Sequence, residues 1–170
     1  MQSTVRHPLP VIAEVQGLAT AAGCQLVASC DLAVAASNAH FATPGVDIGL
    51  FCATPMVALS RNLPTKPVMH MLLTGDPVTA DQARQLGLVN DVVGEAFLTE
   101  TVMALAARIA AKPRATVKTG KEAFYRQREM PLDQAYDHAC RVMTENMLAA
   151  EAEEGVCAFL EKRAPTWPGQ

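Results

Sequence analysis

The strand–helix–strand pattern of residues 11–36 leaves few architectures open to this chain. Val11 to Val15 is a short apolar run with β-branched residues, interrupted by Glu14 and closed by Gly17. Leu32 to Ala36, entered from Asp31, reads as a second strand. Between them Thr20 to Cys30 reads as a helix, with Thr20 as its N-cap and Leu26, Val27 and Cys30 on its inward face. A strand, a helix and a strand over so short a span predict a βαβ-type crossover, and so an α/β fold.

The start of that predicted helix is chemically unusual. Ala21, Ala22 and Gly23 fall in its first turn and carry at most a methyl group. The first N–H groups of a helix have no internal partner, and the helix dipole adds partial positive charge there. A turn bared in this way can hold an anion, or an oxygen that becomes anionic during reaction. Small residues equally let a helix pack closely on its neighbours, and the spacing alone leaves both readings open.

Further along, His40 to Gly45 reads as an extended piece ending in a Pro-Gly turn. Pro55–Leu63 and Lys66–Leu73 read as helices broken by Pro64 and Pro67. Thr79 to Gln82 has the form of a capping box, Gly87 is a natural helix stop, and Leu88 to Val93 reads as a strand. From Glu95 onward the chain reads as three or four helices. Leu98, Val102, Leu105 and Ile109 share one helical face, as do Tyr136, Ala139, Met143, Met147 and Ala150. The Met-rich face is expected in a core or a subunit interface. The last helix begins acidic (Glu151, Glu153, Glu154), reaches Lys162 and Arg163, and is ended by Pro165 and Pro168. The expected division is a mixed core over 1–94 and a helical region over 95–170.

Composition excludes several classes. With 14 basic and 17 acidic residues the net charge is −3, without the clustered cations of a nucleic-acid binder. The apolar runs are too short for a membrane span, and the first residues lack the apolar stretch of a secretory signal. Five cysteines, an odd number with no C-x-x-C pair, predict a reduced intracellular chain without a zinc site. The expected compartment is cytoplasmic, with the mitochondrial matrix as the alternative for a longer native N-terminus.

Four motifs carry a family resemblance. Gly17 to Asp31 (GLATAAGCQLVASCD) resembles the G-x-A-x-G-G-G-C-E-L-x-x-x-C-D segment of the crotonase-like, enoyl-CoA hydratase/isomerase family. Phe41 to Gly49 is similar to its F-x-x-P-E-x-x-x-G loop, and Leu73 to Val89 to its L-T-G-x-x-x-x-A-x-x-A-x-x-x-G-L-V signature. Gly155 to Arg163 resembles its E-G-x-x-A-F-x-E-K-R terminus. The resemblance implies a spiral of ββα turns with a helical C-terminal oligomerisation region, assembled as trimers or hexamers. It also implies an acyl-CoA thioester as ligand, with coenzyme A part of the substrate and no separate cofactor. Two backbone N–H groups would stabilise the thioester enolate.

Carried over by position, Ala22 supplies one oxyanion N–H. Leu18, Ala21, Gly23, Pro44 and Gly45 border the substrate, and Phe159 and Lys162 reach coenzyme A. The departures fall on the acid–base machinery. Gln25 and Gly45 stand where hydratases of the family carry their two catalytic glutamates. A carboxamide does not exchange protons near neutral pH, and glycine has no side chain. Since each acid–base group contributes roughly 10²–10⁴-fold, the ordinary hydratase mechanism is expected to be absent. Whether the chain is an enzyme at all, or a non-catalytic CoA-ester binder or assembly subunit, stays open. Asp47 is the nearest remaining carboxylate, as a catalytic group or as a cap for the turn after Gly45. The family's A-F-x-A-G-x-D segment, bearing the other oxyanion N–H, does not occur in these 170 residues. The chain is therefore expected to be a truncated product, a partial piece or a shortened member closed by oligomerisation.

Overall fold

A computed structural model describes residues 1–167. The chain forms two compact units, one of residues 1–5 and 11–106, the other of residues 6–10 and 107 onward.

In the first unit, a short helix α1 (Gln2–Val5) precedes β1 (Ile12–Val15), β2 (Leu18–Thr20) and α2 (Ala22–Ser29). Next come β3 (Leu32–Ala36), β4 (His40–Ala42), a 3-10 turn (Pro44–Ile48), α3 (Ala53–Ser60) and α4 (Thr65–Thr74). β5 (Val78–Thr79), α5 (Ala80–Leu86), β6 (Asp91–Val93), a second 3-10 turn (Glu95–Phe97) and most of α6 (Leu98–Ala110) complete it. One sheet has the order β1-β3-β6, all parallel, with Ala13 opposite Ala33 and Val34 opposite Asp91. The other has the order β2-β4-β5, with β2 parallel and β5 antiparallel to β4. Two successive turns, β1-β2-α2 and β3-β4-α3, each lay one strand in each sheet before a helix brings the chain back, which is a ββα spiral; β5 and β6 then extend the two sheets from either end of α5.

This arrangement corrects the expected helix start. Thr20 does not cap α2: it ends β2, which pairs Leu18 with His40 and Thr20 with Ala42. Pairing with β4 outweighs the capping preference of one threonine, and Ala21 takes the cap position without any side-chain cap. Pro67 does not break its helix either. Pro55 and Pro67 each stand third in α3 and α4, where the missing N–H has no intrahelical partner. The expected capping box is present, with Thr79 Oγ1 accepting from Gln82 N–H and Gln82 Oε1 from Thr79 N–H. Gly87 ends α5 at φ 86°, the left-handed conformation that glycine adopts without a Cβ clash.

β3 shows why its sequence, LAVAA, lacks polar alternation. Ala33 and Ala35 join the main core with Phe41, Leu59, Met71 and Leu72, while Val34 and Ala36 join Leu98 and Val102 of α6. Both faces of the strand are covered, as in parallel sheets generally. Burying each large apolar side chain contributes roughly 1.5–3 kcal/mol.

The second unit holds α7 (Arg114–Gln127), α8 (Leu132–Met147) and α9 (Ala150–Glu161). Lys121 Nζ donates to Leu9 O at 3.0 Å and lies 6.0 Å from the centre of the Tyr125 ring. Arg163 forms hydrogen bonds to both carboxylate oxygens of Glu154, at 2.6 and 2.9 Å. Trp167 Nε1 donates to Ala111 O at 2.9 Å. Pro168, expected as a helix terminator, lies outside the described residues.

Candidate functional site

The turn from β2 into α2 is built by one backbone contortion. Ala21 has φ 46° and ψ −109°, a conformation that alanine rarely adopts, and its N–H donates to Ala42 O at 2.9 Å. The first intrahelical bond then runs from Gln25 N–H to Ala21 O. The N–H groups of Ala22, Gly23 and Cys24 precede that bond. Ala22 and Gly23 are exposed, and a Cβ built on Gly23 would meet nothing within 4 Å. Ala22 and Gly23 are thus exposed rather than packed against a neighbour, while Cys24 is buried, so the close-packing reading of these small residues fails at Gly23.

Behind the turn the helix is anchored. Cys24 is fully buried among the core residues, and burial followed by the nearby Cys52 thiol pushes its own thiol up to about 12. A thiol held neutral in this way is a small apolar side chain rather than a nucleophile. Ser29 is buried and donates its hydroxyl to Gln25 O at 2.7 Å. Gln25 itself is half-buried.

The loop after β4 departs furthest from a general-base site. A Cβ at Gly45 would lie 2.5 Å from Leu50 O and 3.0 Å from Cys52 Sγ. Leu50 N–H closes the same loop on Gly45 O at 2.8 Å. Any side chain at position 45, a glutamate included, requires the backbone to shift. Asp47 is exposed, and its carboxylate is packed over Gly75 at the end of α4. A Cβ on Gly75 would meet its Oδ2 at 3.0 Å and Oδ1 at 3.2 Å. Pro44 packs on the same glycine. His40 is exposed, with Nδ1 3.0 Å from Asn38 O.

Leu18 is exposed on β2, in the segment that leads into Ala21. Ile48, Leu50 and Phe51, exposed around the tight Gly45 loop, were missed by motif matching. Their signal was an apolar run, Ile48 to Phe51, interrupted only by Gly49 in a loop. Phe159 and Lys162 belong to the second unit. Phe159 is 81% exposed and so is not a core residue, and Lys162 closes α9 in the left-handed conformation at φ 56°. At the carboxyl end of α2 lies a polar hollow of about 110 Å³, lined in part by Asp31, Asn62 and Asn90. Those side chains hold the fold: Asp31 accepts from Val11 N–H and Asn90 from Ala33 N–H. Among the described residues no cluster of three metal-ligating side chains occurs, and no helix is long and apolar enough to cross a membrane.

A ββα spiral with small, exposed residues at a helix start is the arrangement of a crotonase-like chain, and the comparisons agree on the fold and the family. A profile of the enoyl-CoA hydratase/isomerase family matches residues 1–170, and the chain belongs to that family. It is 51% identical over 161 residues to human enoyl-CoA hydratase domain-containing protein 3, mitochondrial, covering 95% of this chain and 53% of that protein. It is 33% identical to the 2,3-dehydroadipyl-CoA hydratase of Escherichia coli, of which it covers 64%. A crystal structure of enoyl-CoA hydratase from Mycobacterium smegmatis superposes with a TM-score of 0.96 at 54% identity, over 98% of this chain and 65% of that one. The chain spans about half the length of the vertebrate relatives it matches.

Proposed function

We propose that this chain binds acyl-CoA thioesters, with the thioester oxygen received by Ala22 N–H at the start of α2. The observation that carries this reading is the exposed, methyl-or-less turn ahead of the first α2 hydrogen bond. Relatives named as acyl-CoA hydratases support the substrate class. Leu18, Ala21, Gly23, Pro44 and Gly45 border the acyl part, and Phe159 and Lys162 contact coenzyme A. Coenzyme A arrives within the substrate and no further cofactor takes part. Ordinary enoyl hydration is absent, because neither Gln25 nor Gly45 transfers a proton. The assembly is a homo-oligomer, trimeric or hexameric. Vertebrate relatives named as mitochondrial support the mitochondrial alternative over the expected cytoplasmic location.

A second reading, a CoA-ester binder without catalysis, draws support from the closed loop at Gly45. Two measurements separate the readings: heat of binding on titration with crotonyl-CoA, and loss of its enoyl ultraviolet absorbance. Binding is expected, without turnover at hydratase rates. Slow turnover abolished by Asp47→Asn would support a residual enzyme, and binding with no turnover the binder. Absence of binding would contradict both.

A further inference from the structure

Two of the five cysteines belong to the core of the first unit, and the proposed thioester binding uses neither. Cys24 stands in the first turn of α2 and is fully buried. Cys52 takes the cap position of α3 and is half-buried, packed against the same core cluster. The backbone brings the two together from opposite sides. Ala21 N–H donates to Ala42 O, which pins the start of α2 to the end of β4, three residues before Gly45. Cys52 Sγ lies 3.0 Å from the point where a Cβ on Gly45 would stand, and α3 packs on α2. The Cys52 thiol is near enough to add to the burial that pushes the Cys24 thiol up to about 12.

Both thiols are free, and they differ in access. A small oxidant in solvent reaches the half-buried sulfur and not the fully buried one. We propose that Cys24 and Cys52 are a redox-sensitive pair, whose oxidation to a disulfide ties the first turn of α2 to the loop after β4. The oxidant is hydrogen peroxide. First the Cys52 sulfur attacks one peroxide oxygen: the O–O bond breaks, an S–O bond forms, water leaves, and Cys52 becomes a sulfenic acid. Then the Cys24 sulfur attacks the sulfenic sulfur: the S–S bond forms, the S–O bond breaks, and a second water leaves with the Cys24 proton. The two thiols together lose two electrons, and the peroxide gains them. Cys24 is no nucleophile toward solvent, because a thiol at about 12 is ionised only about once in 10⁵ at pH 7. A well-oriented intramolecular partner reaches effective molarities of about 10⁵–10⁸ M, which offsets that scarcity. Oxidation of Cys52 also removes one of the two causes that hold the Cys24 thiol neutral. The inference does not depend on acyl-CoA binding, although the tied loop borders the candidate site.

Peptide mass spectrometry after peroxide treatment tests the pair, in a Cys140→Ser, Cys157→Ser background that removes the two exposed cysteines. Cleavage before Asp31 and Asp47 separates Cys24 and Cys30 from Cys52. The expected product is these two peptides joined by a bond that dithiothreitol breaks. Cys52→Ser and Cys24→Ala are each expected to abolish the link, and Cys30→Ala to leave it intact. Dimedone is expected to trap the Cys52 sulfenic acid in Cys24→Ala. Closure depends on the Cys24 thiolate, so its rate is expected to rise about tenfold from pH 7 to pH 8. Hydrogen exchange across Gly45–Cys52 is expected to slow at least tenfold in the linked form. If Cys24→Ala does not fold, the Cys52→Ser and Cys30→Ala variants and the pH dependence of closure decide. A Cys52 that stays a thiol or stops at the sulfenic acid, a link through Cys30, or a disulfide that leaves exchange in the loop unchanged would overturn the proposal.

Discussion

Two residues set the local backbone at the candidate site, Ala21 at the start of α2 and Gly45 in the loop after β4. Ala21 sits at φ 46° with a Cβ, where the resembled motif has glycine, and a strained residue of this kind costs roughly 1–3 kcal/mol. Ala21→Gly relieves that strain while adding about 0.5–1 kcal/mol of unfolded-state entropy. The expected outcome is a net gain of about 1 kcal/mol, read as a higher denaturation midpoint in urea. Gly45 presents the reverse case. Restoring a carboxylate by Gly45→Glu drives a Cβ into Leu50 O, and is expected to destabilise by roughly 1–3 kcal/mol. It should also leave enoyl-CoA hydration unrestored in the absorbance assay. The loop is therefore closed over the space that any side chain at this position would need.

At the scale of elements, α9 is tied to the segment after it by Glu154. That carboxylate receives two hydrogen bonds from Arg163 and one from Thr166 N–H, and the Arg163 bonds are the main reason it is held down to about 2. A depressed carboxyl pKa means the unfolded segment binds the proton first. The tether is therefore complete above the ordinary glutamate range, near 4.5, and is lost as pH falls through about 2. Hydrogen exchange at the Thr166 amide is expected to accelerate across that window, beyond the intrinsic trend, and Glu154→Gln to flatten the effect. Legibility in the sequence divided along the same lines as range of contact. Thr79, Gln82 and Gly87 act on neighbours within a turn, so their motif predicted the boundaries of α5 correctly. β2 was missed because Leu18–Thr20 is a strand only by virtue of β4, some twenty residues away. The Tyr136–Met143 stripe has helical spacing either way, and periodicity does not say whether a face is covered.

For the molecule as a whole, strand spacing predicts only a βαβ-type crossover, and the spiral, like the family, comes from the resemblance of four motifs in order. Of the candidate site, the sequence made legible only the small-residue start of α2. Ala22 and Gly23 announce an exposed turn by what they lack, whereas the closure of the Gly45 loop on Leu50 is a matter of local backbone geometry, and the bond from Ala21 N–H to Ala42 O and the seating of Asp47 on Gly75 depend on atoms far apart in the chain. The account rests on one amide. Proline is tolerated at the first residue of a helix, so Ala22→Pro removes the N–H while leaving α2 in place. Calorimetric titration of this variant with an acyl-CoA, beside Ala22→Gly, is the most direct measurement. A weakening of about tenfold or more in Ala22→Pro, with Ala22→Gly unchanged, is the predicted result, since a hydrogen bond to a polarised oxygen contributes roughly 1.5 kcal/mol or more. Equal affinity in a folded Ala22→Pro variant would contradict it.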